Sequence, residues 1–495
     1  MADLKKLFER CVDGARSLAI HARDVYTYTK SPFMVFCNHF AEAKERDPKN
    51  DYQELLFERG YLHEERIVKQ KYPEFVEMVY TDDIEGFKRV LSLMDDGTKA
   101  IHNAPLFFLP DGLVGKIDVL VRQSSRQSVF GPYHYTVKEI KLAKNIKEHH
   151  ILQAAFYNFL LGKIQGMLPD KFSVINRDGD EFEFEYAQYH EKLQHALSEV
   201  REILNGKEVT PTYGEGYWPW ESYTNRLAIE RDDVSLVAGV GGSTKRQLNE
   251  RGILTVHDLA TASLGSLQKI DGVGPQKAKQ FRNSALALVR NTPVIINRKA
   301  LVFPKKKLEL FLDLEGTDQS LNEAFGDDIE FDQIDYMMGL LVCKGDAYEY
   351  HSFIAHRIGE EKKMFEDFCV FMKAQRGFTL YHWGSYERTA LAKLAARYGM
   401  DSTLRTRIEN NMVDLHKLLK KAVAFPTYGN GLKDIAKWLE FSWRHKEVTA
   451  MESVAYYLEY VENPTKNKEK LQRIIDYNED DVRATKHVKD FLVKI

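Results

Sequence analysis

The residues best able to do chemistry are acidic, and they fall into two sets. In the first, Asp118 closes the run Gly115-Lys116-Ile117-Asp118, and Glu139-Ile140-Lys141 follows. On a strand, side chains at i and i+2 point the same way, so Glu139 and Lys141 share a face. Two carboxylates and a lysine on adjacent strands suit phosphodiester hydrolysis, because carboxylate oxygens hold Mg²⁺, which polarises a phosphate and activates water. The lysine can orient that water or offset charge developing in the transition state. Taken alone, the Glu-x-Lys triplet fits an exposed strand edge of alternating charge far better. Its company adds weight. His63, in Gly60-Tyr61-Leu62-His63, offers a nitrogen ligand on an upstream helix, and Gln153 and Tyr157 fall at i, i+4 on one face of the following helix.

The second set lies in the C-terminal region. The run LELFLDLEG alternates, with Leu308, Leu310, Leu312 and Leu314 on one side and Phe311, Asp313 and Glu315 on the other. Two carboxylates at i, i+2 on a mainly apolar strand are costly unless paired or bound to metal. A salt-bridged strand edge is the plainer alternative. Near the C-terminus, Tyr477-Asn478-Glu479-Asp480-Asp481 predicts the start of a helix on which Tyr477 and Asp481 share a face. Between the two, Glu387 falls where a strand turns into a helix, and Asp414 lies in MVDLHKLL.

Two glycine hairpins, Gly239-Val240-Gly241 and Gly272-Val273-Gly274, separate these sets. Glycines at both ends of each turn permit positive φ and close backbone approach. The exposed N–H groups that open the next helix form an anion site, and Lys245, Arg246, Lys277 and Lys279 follow where they suit phosphate contact. A plain αα-hairpin or a protein–protein module would use the same glycines.

The elements that must position these residues divide the chain into three domains. Residues 1–205 mix helices with a strand-rich centre (Leu106–Leu109, Lys116–Val121 and Tyr133–Leu142) and a strong helix from Ile151. Residues 206–231 are a Gly/Pro-rich connector, 232–292 an all-α tandem helix–hairpin–helix domain, 293–306 a linker, and 307–495 an α/β domain. Length agrees, since 495 residues correspond to about three domains. The 44% hydrophobic and 29% charged fractions exclude a disordered or collagen-like chain. The net charge of −3 excludes a uniformly basic nucleic-acid binder, so phosphate must be met by local patches or by metal. No run approaches the ~18–20 apolar residues of a membrane helix, and the N-terminal residues do not read as a signal peptide. The four scattered cysteines argue against a disulfide framework. A cytoplasmic protein without membrane contact is expected.

The ordered set Gly-x-x-His, Gly-x-x-Asp, Glu-x-Lys and Gln-x-x-x-Tyr resembles the RecB-like branch of the PD-(D/E)XK nucleases, which includes the CRISPR-associated exonucleases. The resemblance implies a restriction-endonuclease-like α/β core, with His63, Asp118 and Glu139 as metal ligands. It also implies Lys141 as the catalytic lysine and Gln153 and Tyr157 on the substrate side of the site. Pro110-Asp111 spells a literal "PD", but Asp118 has the better strand context. Many relatives carry an iron–sulfur cluster. Here Cys37 could supply the first thiolate, but PTYGEGYWPWESYT contains no cysteine, and Tyr217, Trp220 and Tyr223 stand in its place, which argues against a cluster.

The C-terminal set resembles the DnaQ-like exonucleases of the ribonuclease H fold. That likeness implies Asp313, Glu315, Glu387 and Asp481 as ligands of two metal ions, with Tyr477 orienting the attacking water. Asp414 rivals Glu387, and Asp480 rivals Asp481. The central acid is usually aspartate, and Glu387 departs from that pattern. The hairpins look like a module that grips DNA backbones without reading sequence, through Gly239, Gly241, Lys245, Arg246, Gly272, Gly274, Lys277 and Lys279. The order of all three modules resembles the RecB-like nucleases with a YprB-like C-terminal domain, whose central acid is also glutamate.

Together these features imply a Mg²⁺- or Mn²⁺-dependent DNA nuclease with two hydrolytic centres, acting exonucleolytically on single strands or duplex ends in repair, recombination or defence. Two ions are expected in the C-terminal domain and one or two in the N-terminal domain, with RNA left open as a substrate. A helicase partner is implied by analogy, because no G-x-x-x-x-G-K-[ST] loop occurs in the sequence. Two alternatives stand: a single active centre with the other fold holding substrate, or a non-catalytic DNA-binding scaffold. Metal neutralising six of these carboxylates would also lift the net charge to near zero or above, leaving Lys138, Lys141, Lys144, Lys147 and the run at Lys305 as basic patches.

Overall fold

The computed structural model describes residues 3–14, 18–317 and 334–495, and of Leu56 the backbone alone. Three main hydrophobic cores organise the chain. The first surrounds a mixed sheet. β1 (Ile20–His21) runs parallel to β4 (Leu113–Gln123), and the remaining strands lie in the order β2 (Phe75–Glu77), β3 (Ala100–Phe108), β4, β5 (His134–Ile140), β6 (Lys171–Ile175), β7 (Glu181–Glu185). The β3–β4 and β4–β5 pairs are antiparallel. The helix Glu148–Gln165 then crosses over so that β6 runs parallel to β5. This helix is apolar around most of its circumference, as expected of one buried between a sheet and other helices.

The sheet forks where chemistry was expected. β5 pairs with β4 only over Val119–Gln123, and β4 cedes the far end of that edge to β1 at Leu113 and Val114. Asp118 and Glu139 therefore sit on the two arms just where pairing stops. Gly115 has a packing reason, since a Cβ there would lie 2.7 Å from Cε1 of Tyr157.

The second core is all-α, formed by the helices Gly242–Asn249, Val256–Thr261, Leu264–Leu267 and Pro275–Arg290. In each hairpin the central valine, Val240 or Val273, drops into this core. The glycine before it takes a left-handed φ, +90° at Gly239 and +76° at Gly272, which only glycine adopts at little cost.

The third core packs around a five-stranded sheet. β8 (Val294–Ile295) leads in. β9 (Leu308–Gly316), β10 (Asp335–Lys344), β11 (Ala347–Ile354), β12 (Phe378–His382) and β13 (Met412–Asp414) form the sheet in the order β11-β10-β9-β12-β13. The β11–β10–β9 pairs are antiparallel and the β9–β12–β13 pairs parallel. β14 (Val423–Ala424) pairs back to β8, pinning the linker. The alternation of β9 is realised: its leucines are buried on one face while Phe311 stacks on Tyr381 on the other, beside the carboxylates.

Two elements differ from the sequence reading. The last helix spans Lys468–Lys494, so Tyr477 lies well inside it, because Ile474 begins the same buried stripe earlier. The connector contains a helix, Glu221–Glu230, which buries Thr224 and Ala228. The helix Asp51–Lys71 belongs to two cores: Tyr52 packs in the C-terminal core, and Ile67 and Val68 pack on the N-terminal sheet. Fifteen helical steps separate those contacts, about 22 Å. Asn50, its N-cap, also bonds Glu452 of the helix Ala450–Glu462 at 2.5 Å. Among the described residues, no helix is long and apolar enough to cross a membrane.

Gly339 lies opposite Asp313 in the β9–β10 register, and a Cβ there would fall 1.5 Å from Oδ1 of Asn478. Gly339→Ala is therefore expected to cost about 1–3 kcal/mol by overpacking. Gly60→Ala, on a helix with nothing within 4 Å of the new methyl, should add about 0.5–1 kcal/mol. Urea unfolding of both variants checks the pair; a neutral Gly339→Ala would contradict this packing.

Candidate active site

On the C-terminal sheet, Asp313 and Glu315 project from β9 toward Asp481 on the last helix. One carboxylate oxygen of each lies within 4.8 Å of the other two. Among the described residues this is the single such set of three His, Cys, Asp or Glu side chains. Like charges held so close need compensation, and the neighbours supply it. Asn478 donates through Nδ2 to Asp313 Oδ2 at 2.7 Å and to Glu315 Oε1 at 3.3 Å. Its own Oδ1 accepts from the Tyr350 hydroxyl at 2.9 Å. Ser453 donates to Glu315 Oε2 at 3.3 Å, and the Trp443 indole N–H donates to Asp481 Oδ1 at 2.7 Å.

This compensation is incomplete. Burial, then Glu315, Asp481 and Glu387, hold the Asp313 carboxyl well above its ordinary range. Burial and Asp481 push Glu315 up to about 8. Burial lifts Asp481 to about 6 against the opposing effects of Trp443 and Lys433. Lys433 is the nearby cation: its Nζ lies 4.5 Å from the Tyr477 ring centroid and donates to the Val448 carbonyl at 3.2 Å, and burial lowers its own pKa. Tyr477 turns its hydroxyl to Asp481 and has its pKa raised, chiefly by burial.

The rival acids are committed elsewhere. Asp414 caps the helix Leu415–Ala422, with Oδ1 accepting from Lys417 N at 2.9 Å and Gly384 N at 3.2 Å. Asp480 pairs with Arg444, accepting from its backbone N at 2.7 Å and its Nε at 3.0 Å. Glu387 lies buried in the first turn of the helix Tyr386–Tyr398. Its Oε2 has no hydrogen-bond partner and stands 3.4 Å from His382 Nδ1. It stands outside the 4.8 Å set, though its charge reaches Asp313.

At the fork of the N-terminal sheet, Asp118 Oδ2 accepts from Ile140 N at 2.7 Å, taking a donor that strand pairing leaves open. Lys141 Nζ donates to Glu139 Oε1 at 2.7 Å, while Glu139 Oε2 is buried with no partner. Burial, then Glu139 and Glu64, raise Asp118. Burial also raises Glu139, against the pull of Lys141. Gln153 bonds Tyr157, whose buried ring lies over Gly115 beside the two carboxylates. His63 is buried with a partnerless Nε2, and burial together with Arg66 pushes its pKa down to about 4. It does not join Asp118 and Glu139 in a set of the 4.8 Å kind. Sequence reasoning missed Glu64, whose Oε1 lies 2.8 Å from His102 Nε2 while His102 Nδ1 lies 2.5 Å from Glu77. It also missed Asn478, Lys433, Trp443 and Ser453. Only Asn478, inside the Tyr477–Asp481 motif, carried a signal.

The hairpins are unequal. Lys245 is buried, paired with Asp233 at 2.7 Å and bonded to the Pro211 carbonyl. This corrects the expectation that it reaches phosphate. Gly241 lies beside Glu215, whereas Gly272 and Gly274 have open space where a Cβ would stand. Arg246 and Lys279 are exposed, and Lys277 donates to Gly272 O at 3.4 Å. Cys37 packs with Phe33, Met34 and Trp220 against Tyr217 and Tyr223, and burial raises its thiol to about 12.

Comparison with known families agrees with two of the three cores. Residues 310–493 match the RNase H superfamily, and residues 232–284 match the SAM-like helix-hairpin-helix tandem. No curated protein matches the chain. The C-terminal region is thus an RNase H superfamily domain, preceded by a tandem helix–hairpin–helix.

Without divalent metal, the buried acids should make stability fall with rising pH. Folded pKa values of about 8 for Glu315 and about 6 for Asp481 exceed the unfolded values of roughly 4. Their contribution is therefore full below pH ~4 and is lost as pH climbs through about 6 and then 8. In chelator, the melting temperature should drop between about pH 6 and pH 8, and Glu315→Gln should flatten that slope. An equal slope in the variant would refute the assignment.

Proposed function

We propose that this protein is a divalent-metal-dependent nuclease with its principal centre at Asp313, Glu315 and Asp481. The observation that carries the reading is the crowding of three carboxylates, Glu315 and Asp481 buried and Asp313 half-buried, within 4.8 Å on an RNase H superfamily domain that follows a helix–hairpin–helix pair. Their donors are hard oxygens, the chemistry that Mg²⁺ and Mn²⁺ require. Asp313, Glu315 and Asp481 would hold the metal, with the partnerless Oε2 of Glu387 at hand. Such ions, when bound, polarise the phosphate and lower the pKa of water. The protein's own part is positional. Asn478 fixes Asp313 and Glu315, Trp443 fixes Asp481, Tyr477 orients the attacking water, and Lys433 offsets negative charge.

The forked N-terminal sheet supports a second centre of the PD-(D/E)XK, RecB-like kind. Asp118 and the open Oε2 of Glu139 would ligate metal, His63 would add a nitrogen, and Lys141 would act as the catalytic lysine. Gln153 and Tyr157 would support the substrate side. In this reading the substrate is DNA, cleaved exonucleolytically from single strands or duplex ends, with 3′-to-5′ polarity at the C-terminal centre and a helicase as the partner that opens duplex. A second reading, in which only the C-terminal centre turns over, is favoured by the lack of a comparable three-ligand set at the fork among the described residues.

End-labelled single-stranded DNA, duplex DNA and RNA, incubated with Mg²⁺, Mn²⁺ or chelator, test both readings. Wild type should cleave only with metal. Asp313→Ala should lose at least about a hundredfold of the C-terminal activity, as ligand loss exceeds the 10–100-fold cost of outer-shell changes. Lys141→Ala should remove any remainder. No cleavage of any substrate would sink the enzyme, and cleavage by the double variant would sink the sites.

A further inference from the structure

The two hairpins share a fold but not a surface. At the second, a Cβ added at Gly272 or at Gly274, where the helix Pro275–Arg290 begins, would meet no atom within 4 Å among the described residues. At the first, the connector covers the turn. Gly242 N donates to Glu215 Oε1 at 2.5 Å, Tyr213 N donates to Ser235 Oγ at 2.8 Å, and Lys245 reaches the Pro211 carbonyl. The fit is close, since a Cβ on Gly242 would come within 2.7 Å of Glu215 Oε2. A carboxylate is a natural occupant of a helix N-terminus, whose free N–H groups and dipole favour anions. A phosphate oxygen seeks the same donors.

Charge follows the same asymmetry. Lys245 is neutralised by Asp233, and Glu215 adds a negative charge in front of the turn. The second hairpin carries exposed Lys279 and half-buried Lys277, whose Nζ lies over the Phe281 ring, whereas the first keeps Arg246 as its exposed cation.

We propose that Glu215 is a built-in phosphate surrogate: it fills the backbone anion site of the first hairpin, so that nucleic acid is gripped by the second hairpin alone. This rests on the nucleic-acid reading above but not on catalysis. The segment Pro211–Glu215 is then a strap, and removing the Glu215 carboxylate frees one more phosphate site. Phosphate and carboxylate compete for the Gly242 N–H, and Glu215 wins by being intramolecular.

Fluorescence anisotropy with a labelled single-stranded oligonucleotide, in chelator and across a salt series, tests this. Glu215→Ala, which removes the acceptor as well as the charge, should tighten binding about three- to tenfold at low salt and steepen the log Kd–log salt slope by about 0.7, the increment for one added phosphate on a single strand. In otherwise wild-type protein, Lys277→Glu should weaken binding at least about tenfold, whereas Arg246→Glu at the first hairpin should change it less than about twofold. That comparison decides the matter even if Glu215→Ala folds poorly. Equal losses from Lys277→Glu and Arg246→Glu, or a folded Glu215→Ala with unchanged affinity and slope, would overturn the proposal while leaving the nucleic-acid reading intact. Binding by neither wild type nor Glu215→Ala would overturn both.

Discussion

Three carboxylates brought together inside a protein repel one another, and burial takes away the water that would screen them. Much of the C-terminal domain is arranged around that repulsion. β9 is central in its sheet, so Asp313 and Glu315 are fixed by strands on both sides, and the last helix holds Asp481 against them. The domain answers with donors that cannot ionise away: the Asn478 amide, the Trp443 indole and the Ser453 hydroxyl. Each donor needs its own support. Tyr350 holds Asn478, Tyr336 holds Ser453 at 2.8 Å, and Gly339 leaves the volume that the amide fills. The residual charge strain is the property a cation relieves, which is why the site reads as a binding site and not as a failed core.

The N-terminal fork solves a related problem differently. Its two carboxylates face a resident lysine, Lys141, and a backbone donor at Ile140. Behind them, Glu64, His102 and Glu77 form a hydrogen-bonded chain that ties the helix Asp51–Lys71 to β3 and β2. The same helix starts in the C-terminal core beside Glu452, one residue from the Ser453 that supports Glu315. The helix Asp51–Lys71 therefore spans the N-terminal and C-terminal cores directly, in addition to the chain that runs through the hairpins.

Much of this was legible in the sequence, and unevenly so. Alternation along Leu308–Glu315 identified a strand with two misplaced acids, and the glycine–valine–glycine repeats identified both hairpins, because these are local patterns set by strand and helix periods. The strands at Lys116–Val121 and Tyr133–Leu142 emerged for the same reason. Local pattern could not say which of Asp480 and Asp481 faces the site, since the answer depends on Arg444 reaching across from another segment. Nor could it show that Asp414 caps a helix, that Lys245 is consumed by Asp233, or that Glu64 lies behind the fork. The sequence pattern starts the last helix at Tyr477, whereas its buried stripe begins at Ile474, and polar Asn478 and Asp481 are tolerated in that stripe by the partners that folding supplies.

The sequence by itself determined the kinds of group available, their order along the chain, and the periodicity that puts Asp313 with Glu315, Glu139 with Lys141, and Tyr477 with Asp481 on shared faces. These follow from backbone geometry that reaches only a few residues. Tertiary structure decided which acids meet, which are neutralised, and which cations remain free, because Coulomb energies and hydrogen bonds depend on distances between residues far apart in the chain. Glu215 at the first hairpin is the sharpest case: nothing around it in sequence marks it, and its meaning comes wholly from the N–H it meets across the fold.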